Sequence, residues 1–165
     1  MKSFSFVFTV LICGLLLSSV AFAKEEVENS TKKYGGQCVS YVRTLLGGDR
    51  TKMPGLCKFA KDCGAYRIWD HWDFGYGKGK IPKLNSVMVL APYRGNKYGH
   101  CAVVIKIESN KGKTVLTVSE SNKKGKGLIS NNARYWFYPK KMWLRSTSYS
   151  AYRQVLGFVY TSNSD

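Results

Sequence analysis

Histidine is scarce in this 165-residue chain, and acid is scarce beside base: two histidines, and ten Asp and Glu against 26 Lys and Arg. None of the five cysteines forms a Cys-x-x-Cys pair, so a zinc site drawn from Cys57, Cys63 and His71 matches no common ligand spacing, and no metal is expected. Long hydrophobic runs are also missing. The most apolar stretch, Phe4 to about Val20, falls short of the roughly 20 residues that span a bilayer, and no charged stop-transfer cluster follows it. The absence of any internal repeat excludes solenoids. What the scarcity of acid leaves is a net charge of +16, a field that attracts polyanions of every kind.

The short apolar stretch has the form of a secretory leader. Lys2 precedes it and Ala21-Phe22-Ala23 supplies the small-x-small pattern at which signal peptidases cut, giving a signal peptide over residues 1–23 and a mature chain from Lys24. Ile12 stands before Cys13 where lipoprotein processing needs a small residue, so no lipid anchor is expected. The leader carries one lysine and no acid, which leaves the mature chain strongly basic. An exported address, periplasmic or secreted and cell-wall associated, makes anionic envelope polymers the expected partners and removes nucleic acid, although charge and aromatic content alone would also suit a nucleic-acid binder. No integral membrane segment is expected in the mature chain, which is read as a monomer. Cys57 and Cys63 are close enough to close a small disulfide loop in an oxidising compartment.

Residues 24–34 are charged and poor in apolar side chains, a flexible lead-in to one domain over residues 35–162. From Gln37 to Leu46, Cys38, Val42 and Leu45 recur at helical spacing, and Gly47-Gly48 stops the helix. A second helix is predicted over about Ala65 to Phe74, with Ile68, Trp69 and Trp72 on one side. Beyond Pro82 the pattern becomes strands: 86–90, 101–107, 114–118 and 154–160, the middle two joined as a hairpin through Ser109 to Lys113. Tyr135-Trp136-Phe137-Tyr138 reads as core filling or the cap of a sheet edge. Helices first and antiparallel strands afterwards define an α+β class, with N-terminal helices packed on a curled antiparallel sheet.

Three short segments carry chemistry. Gly36-Gln37-Cys38 puts a thiol in the first turn of a helix, where unpaired backbone N–H groups and the positive end of the dipole favour thiolate. Free thiols titrate near about 8.5, and those in such settings fall to about 3.5 to 7.5. Gly99-His100 starts a strand, and His71 is assigned to a solvent-facing helix position, so His100 is the base. Val118-Ser119-Glu120-Ser121-Asn122 ends a second strand, and either Glu120 or Asn122 can accept a hydrogen bond from the far nitrogen of His100 and fix its tautomer. Cys101 follows His100 and faces the other way, with Val103, Ile105 and Ile107, as an inert buried thiol. Nucleophile, base and orienting group make up the inventory of cysteine-based acyl transfer.

In order and spacing, Gly-Gln-Cys, Ser86-Val87-Met88-Val89 leading to Gly-His, and Glu-x-Asn resemble the cysteine- and histidine-dependent amidohydrolase/peptidase (CHAP) family over roughly Tyr34 to Tyr160. The resemblance implies a papain-like α+β fold and cleavage of amide bonds, most often in the peptide stems of bacterial peptidoglycan, without a cofactor. It puts the nucleophile on Cys38, the base on His100, and the orienting and polar partners on Glu120 and Asn122. Gln37 falls on the glutamine beside the nucleophile, an oxyanion or substrate position, and Trp69 and Trp72 on the Trp-containing helix are taken as substrate-lining. The competing reading is a non-catalytic cationic binding protein of the envelope that keeps the same fold.

Overall fold

The computed structural model of the chain describes residues 37–58, 63–123, 128–148 and 151–164. The expected leader, 1–23, and lead-in, 24–34, lie outside the described residues.

Antiparallel sheet dominates. Helix α1, Cys38–Leu45, opens the described chain. Two 3-10 turns follow, the second (Ala65–Arg67) running into the single-turn helix α2, Ile68–His71. The strands are β1 (Lys78–Gly79), β2 (Val87–Leu90), β3 (His100–Asn110), β4 (Lys113–Lys123), β5 (Leu128–Tyr138), β6 (Trp143–Ser146) and β7 (Tyr152–Val159). Their order is β1-β7-β2-β3-β4-β5-β6, and β7 also pairs with β6. That last pairing closes β2 to β7 into a six-stranded barrel, with β1 hydrogen-bonded beside β7.

The curl expected of the sheet thus runs to full closure, and the helical layer is much smaller than predicted. The expected α+β balance of N-terminal helices on a curled antiparallel sheet is corrected to a barrel with few helices. The predicted helix over 65–74 ends at His71, because Trp72 turns to an extended backbone (φ −97°, ψ 133°). In that conformation the Trp72 indole donates to the Pro54 carbonyl at 3.0 Å and its ring meets Phe74 edge-on. Strands β5 and β6 went unpredicted: Tyr135 and Phe137 point inward while Trp136 and Tyr138 alternate outward, so an all-aromatic run hid a period of two.

Two apolar clusters use the two faces of the sheet. Met88, Leu90, Ala102, Val104, Leu116, Val118, Tyr135, Phe137, Leu144, Val155 and Phe158 fill the barrel. Tyr41, Val42, Ile68 and Trp72 pack with Val87, Val89, Cys101, Val103 and Val159 on its outer side. The bury-both-faces pattern of β2, Val-Met-Val-Leu, follows from this position between barrel interior and helices. A bulge between Val104 and Lys106 changes the parity of β3. Cys101 and Val103 therefore face the helices as expected, but Ile105 is turned out to solvent and Ile107 joins the barrel side.

Candidate active site

Three elements converge where β3 begins. Cys38 is the first residue of α1, which packs on β3 and β4 through Tyr41 and Val42. The Tyr41 hydroxyl meets Ser119 Oγ at 2.5 Å and donates to Asn131 Oδ1 at 2.9 Å, and Ser119 Oγ lies 2.6 Å from the same oxygen. Ser119 pairs with Val103 on the helix-facing side of the sheet. The next residue, Glu120, therefore points the other way, into the barrel mouth.

His100 pairs with Leu90, whose side chain belongs to the barrel interior, so the imidazole also sits at the mouth. Gly99 delivers it there with φ +66°, a conformation that suits glycine. A Cβ at Gly99 would stand 2.5 Å from the Leu90 carbonyl oxygen and 3.1 Å from Tyr66 Cβ. Glycine is thus required both by dihedral and by space. The loop before it is pinned by Asn96, whose Nδ2 donates to the Gly99 carbonyl at 2.8 Å.

The His100 Nε2 lies 2.8 Å from Glu120 Oε2, with both side chains buried. Nδ1 is then the ring nitrogen left open, and Cys38 and His100 each shift the other's titration. The other Glu120 oxygen, Oε1, accepts from the Tyr135 hydroxyl at 2.9 Å. The Cys38 sulfur also meets the thiol and the backbone N–H of Cys101. Cys101 is the buried thiol that strand alternation predicts, and it is also a neighbour of Cys38. It does face away from His100, but α1 begins across the end of β3, where its first residue touches both neighbours.

These contacts set the protonation states. The hydrogen bond from Cys101 holds the Cys38 thiol well below its usual range, against burial, and the His100 charge and hydrogen bond lower it further. Burial alone would push His100 down. The charge and hydrogen bond of Cys38, together with those of Glu120, outweigh it and raise the imidazole to about 10. Burial, then the Cys38 hydrogen bond and charge, drive the Cys101 thiol up. The shifts run in the direction of a thiolate at Cys38 and an imidazolium at His100, with Cys101 kept neutral.

The remaining predicted residues fall as follows. Gln37 occupies the exposed N-cap position of α1, its carbonyl accepting from Tyr41 N at 3.0 Å. The Asn122 side chain lies outside the described residues. Trp72 is fully buried in the core, so it lines no substrate site; its ring packs where α2 ends. Trp69 is half-buried over Gly157 of β7, with Lys78 and Lys80 across its ring at 5.9 and 5.0 Å. Cys57 and Cys63 are joined by a disulfide, with Cα atoms 4.3 Å apart. His71 is half-buried rather than solvent-facing. Sequence reasoning missed Tyr135, and the one available signal was a tyrosine with a phenylalanine on the same face of its strand, which demands a partner for a buried hydroxyl.

Cys38 at the start of α1, His100 at the start of β3 and Glu120 on β4 thus come together at one end of the barrel. The CHAP domain family profile matches residues 27–122, more than half of the chain, and the chain belongs to that family. CHAP domains are amidase- or peptidase-like hydrolases, commonly directed at peptidoglycan. Among solved structures the chain is similar to one described as "The crystal structure of Ly7917", at 20% identity and a TM-score of 0.48, over 81% of this chain and 60% of that one. The chain thus spans about three-fifths of that structure's length. Among curated proteins none matches. No helix among the described residues is long and apolar enough to cross a membrane.

Proposed function

We propose that this protein is an exported cysteine hydrolase that cleaves amide bonds in bacterial peptidoglycan, with Cys38 as nucleophile, His100 as acid and base, and Glu120 as the group that orients His100. The observation carrying the reading is the buried 2.8 Å contact of His100 with Glu120, with Cys38 close enough to the imidazole for each to shift the other's titration. The papain-like relation is part of the proposal: a cysteine opening a helix and a histidine starting a strand of the antiparallel sheet.

The Cys38 thiolate attacks the carbonyl carbon of a peptide-stem amide, forming a carbon–sulfur bond and a tetrahedral oxyanion. Backbone N–H groups at the start of α1, with Gln37 beside them, stand where they can receive that oxyanion. The imidazolium of His100 gives its proton to the departing amine, the carbon–nitrogen bond breaks, and a thioester remains. Neutral His100 then takes a proton from water, whose hydroxide releases the acid and regenerates the thiolate. Glu120 keeps the Nε2 proton in place throughout, so that Nδ1 is the atom that exchanges protons. No step needs a metal.

Residues 1–23 serve in this reading as the export signal, and the domain over 35–162 works in the envelope, held near its anionic polymers by the basic surface. Incubation of purified sacculi with the protein, followed by mass spectrometry of released fragments, tests the reaction and names the bond. Release by the unsubstituted protein and none by Cys38→Ala or His100→Ala is expected. Sacculus binding with no fragment released would replace hydrolysis by a binding role.

A further inference from the structure

We propose that Tyr135 is a positioning residue of the site: its hydroxyl, donating to Glu120 Oε1 inside the barrel, fixes the carboxylate that holds His100. The inference rests on the hydrolase reading above. Tyr135 comes from β5, beyond the 27–122 segment that matches the family.

Its neighbours show what the hydroxyl is for. Tyr135 is 3% exposed and pairs with Leu116 among apolar side chains, a place where the ring of Phe137, on the same strand face, does the same packing without an oxygen. A buried hydroxyl is costly without a partner, and this one has the Glu120 carboxylate at 2.9 Å. Glu120 is itself 1% exposed, so its charge depends on donors. The torsion of a carboxylate about its last bond is broad, and a donor on each of its two oxygens narrows it. A second donor, from a different strand and on the other oxygen, locks it.

The phenol has an electrostatic effect as well. A neutral donor also offsets part of the cost of burying the carboxylate's charge. Were Glu120 to take up a proton, it would no longer support the imidazolium, and Cys38 would lose the counter-charge that keeps it thiolate. The titratable groups around the carboxylate are His100 and Cys101 from β3, Cys38 from α1, and Tyr135 itself from β5. Tyr135, Glu120, His100 and Cys38 thus stand in one line of neighbours.

Two readouts test this, one of which needs no turnover: the pH dependence of Cys38 alkylation by iodoacetamide, and hydrolysis of a soluble muropeptide. Tyr135→Phe keeps the ring and removes the oxygen. It should move the acid limb of alkylation up by about one pH unit and lower kcat about tenfold with KM unchanged. In a Glu120→Gln background the same substitution should change neither. Uniform 3-fluorotyrosine labelling, which makes every phenol a stronger donor without altering the packing, should move the acid limb the other way, and this decides the matter even if Tyr135→Phe fails to fold. An unmoved limb in both proteins, or a further loss in the Glu120→Gln background, overturns the positioning role. Hydrolysis that survives Cys38→Ala would instead overturn the hydrolase reading and leave the alkylation result standing.

Discussion

His100 and Glu120 meet at 2.8 Å, Nε2 to Oε2, in a space from which water is nearly excluded. The pair is built by one hairpin, β3 turning into β4, and it fixes which imidazole nitrogen faces Cys38. Glu120→Gln preserves shape and removes charge. The hydrogen bond and charge of Glu120 both raise His100, so their loss lowers the imidazole and the basic limb of kcat/KM against pH shifts down from about 10. Turnover should fall on the order of a hundredfold or more. A Gln variant with an unchanged basic limb would show that the carboxylate does not govern His100.

The opposed shifts of Cys38 and His100 also shape stability. His100 is raised from 6.5 to about 10, so its contribution is full below about pH 6.5 and drains as pH rises toward 10. Cys38 is lowered from 9.0, so its contribution is full above about pH 9 and drains as pH falls toward its depressed value. Between about 6.5 and 9 the gain of one offsets the loss of the other. Urea midpoints measured across pH should show a plateau there with a decline on either side; Cys38→Ala should abolish the plateau's shape.

Cys101 is the largest influence lowering Cys38. Cys101→Ala removes that donor while leaving the backbone N–H. Iodoacetamide modification of Cys38 at pH 6 should slow about tenfold as its titration moves up, and the small cavity should cost about 1 kcal/mol. Equal modification rates for the two proteins across the acid range would mean that the thiol contact does not tune the nucleophile.

Gly99→Ala is the backbone test. The new Cβ meets the Leu90 carbonyl oxygen at 2.5 Å in a left-handed conformation, so β3 must start differently. Loss of about 2 kcal/mol of stability is expected, together with a fall in turnover larger than unfolding accounts for, since His100 is the next residue. Thermal melts and turnover measured on the same preparation separate the two effects.

How much of this was readable before folding depended on the kind of signal. Cys38 and His100 were legible because each sits at an element's start, marked by glycine and by a change of period. Glu120 was legible as one of two, since strand alternation gives Glu120 and Asn122 the same face and only the three-dimensional path to Nε2 separates them. Barrel closure was not, because it depends on β6, a four-residue strand, Trp-Leu-Arg-Ser, whose sequence carries no strand signal of its own. Trp72 was misplaced for a related reason: a periodic pattern says that a tryptophan faces inward, and tertiary packing alone decides whether that means a groove or the core. Cys101 shows the limit of local rules. Its strand face was correctly inferred, yet its decisive neighbour arrives from a helix far back in the chain.

That separation along the chain has a kinetic meaning. A hairpin forms its own contacts early, whereas α1 must close a long loop to reach β3, and such distant contacts are slow to gain and among the first to open. Until α1 docks, sulfur 38 lacks both Cys101 and His100 and titrates as any free thiol. The lowered titration of Cys38 is therefore a property of completed assembly.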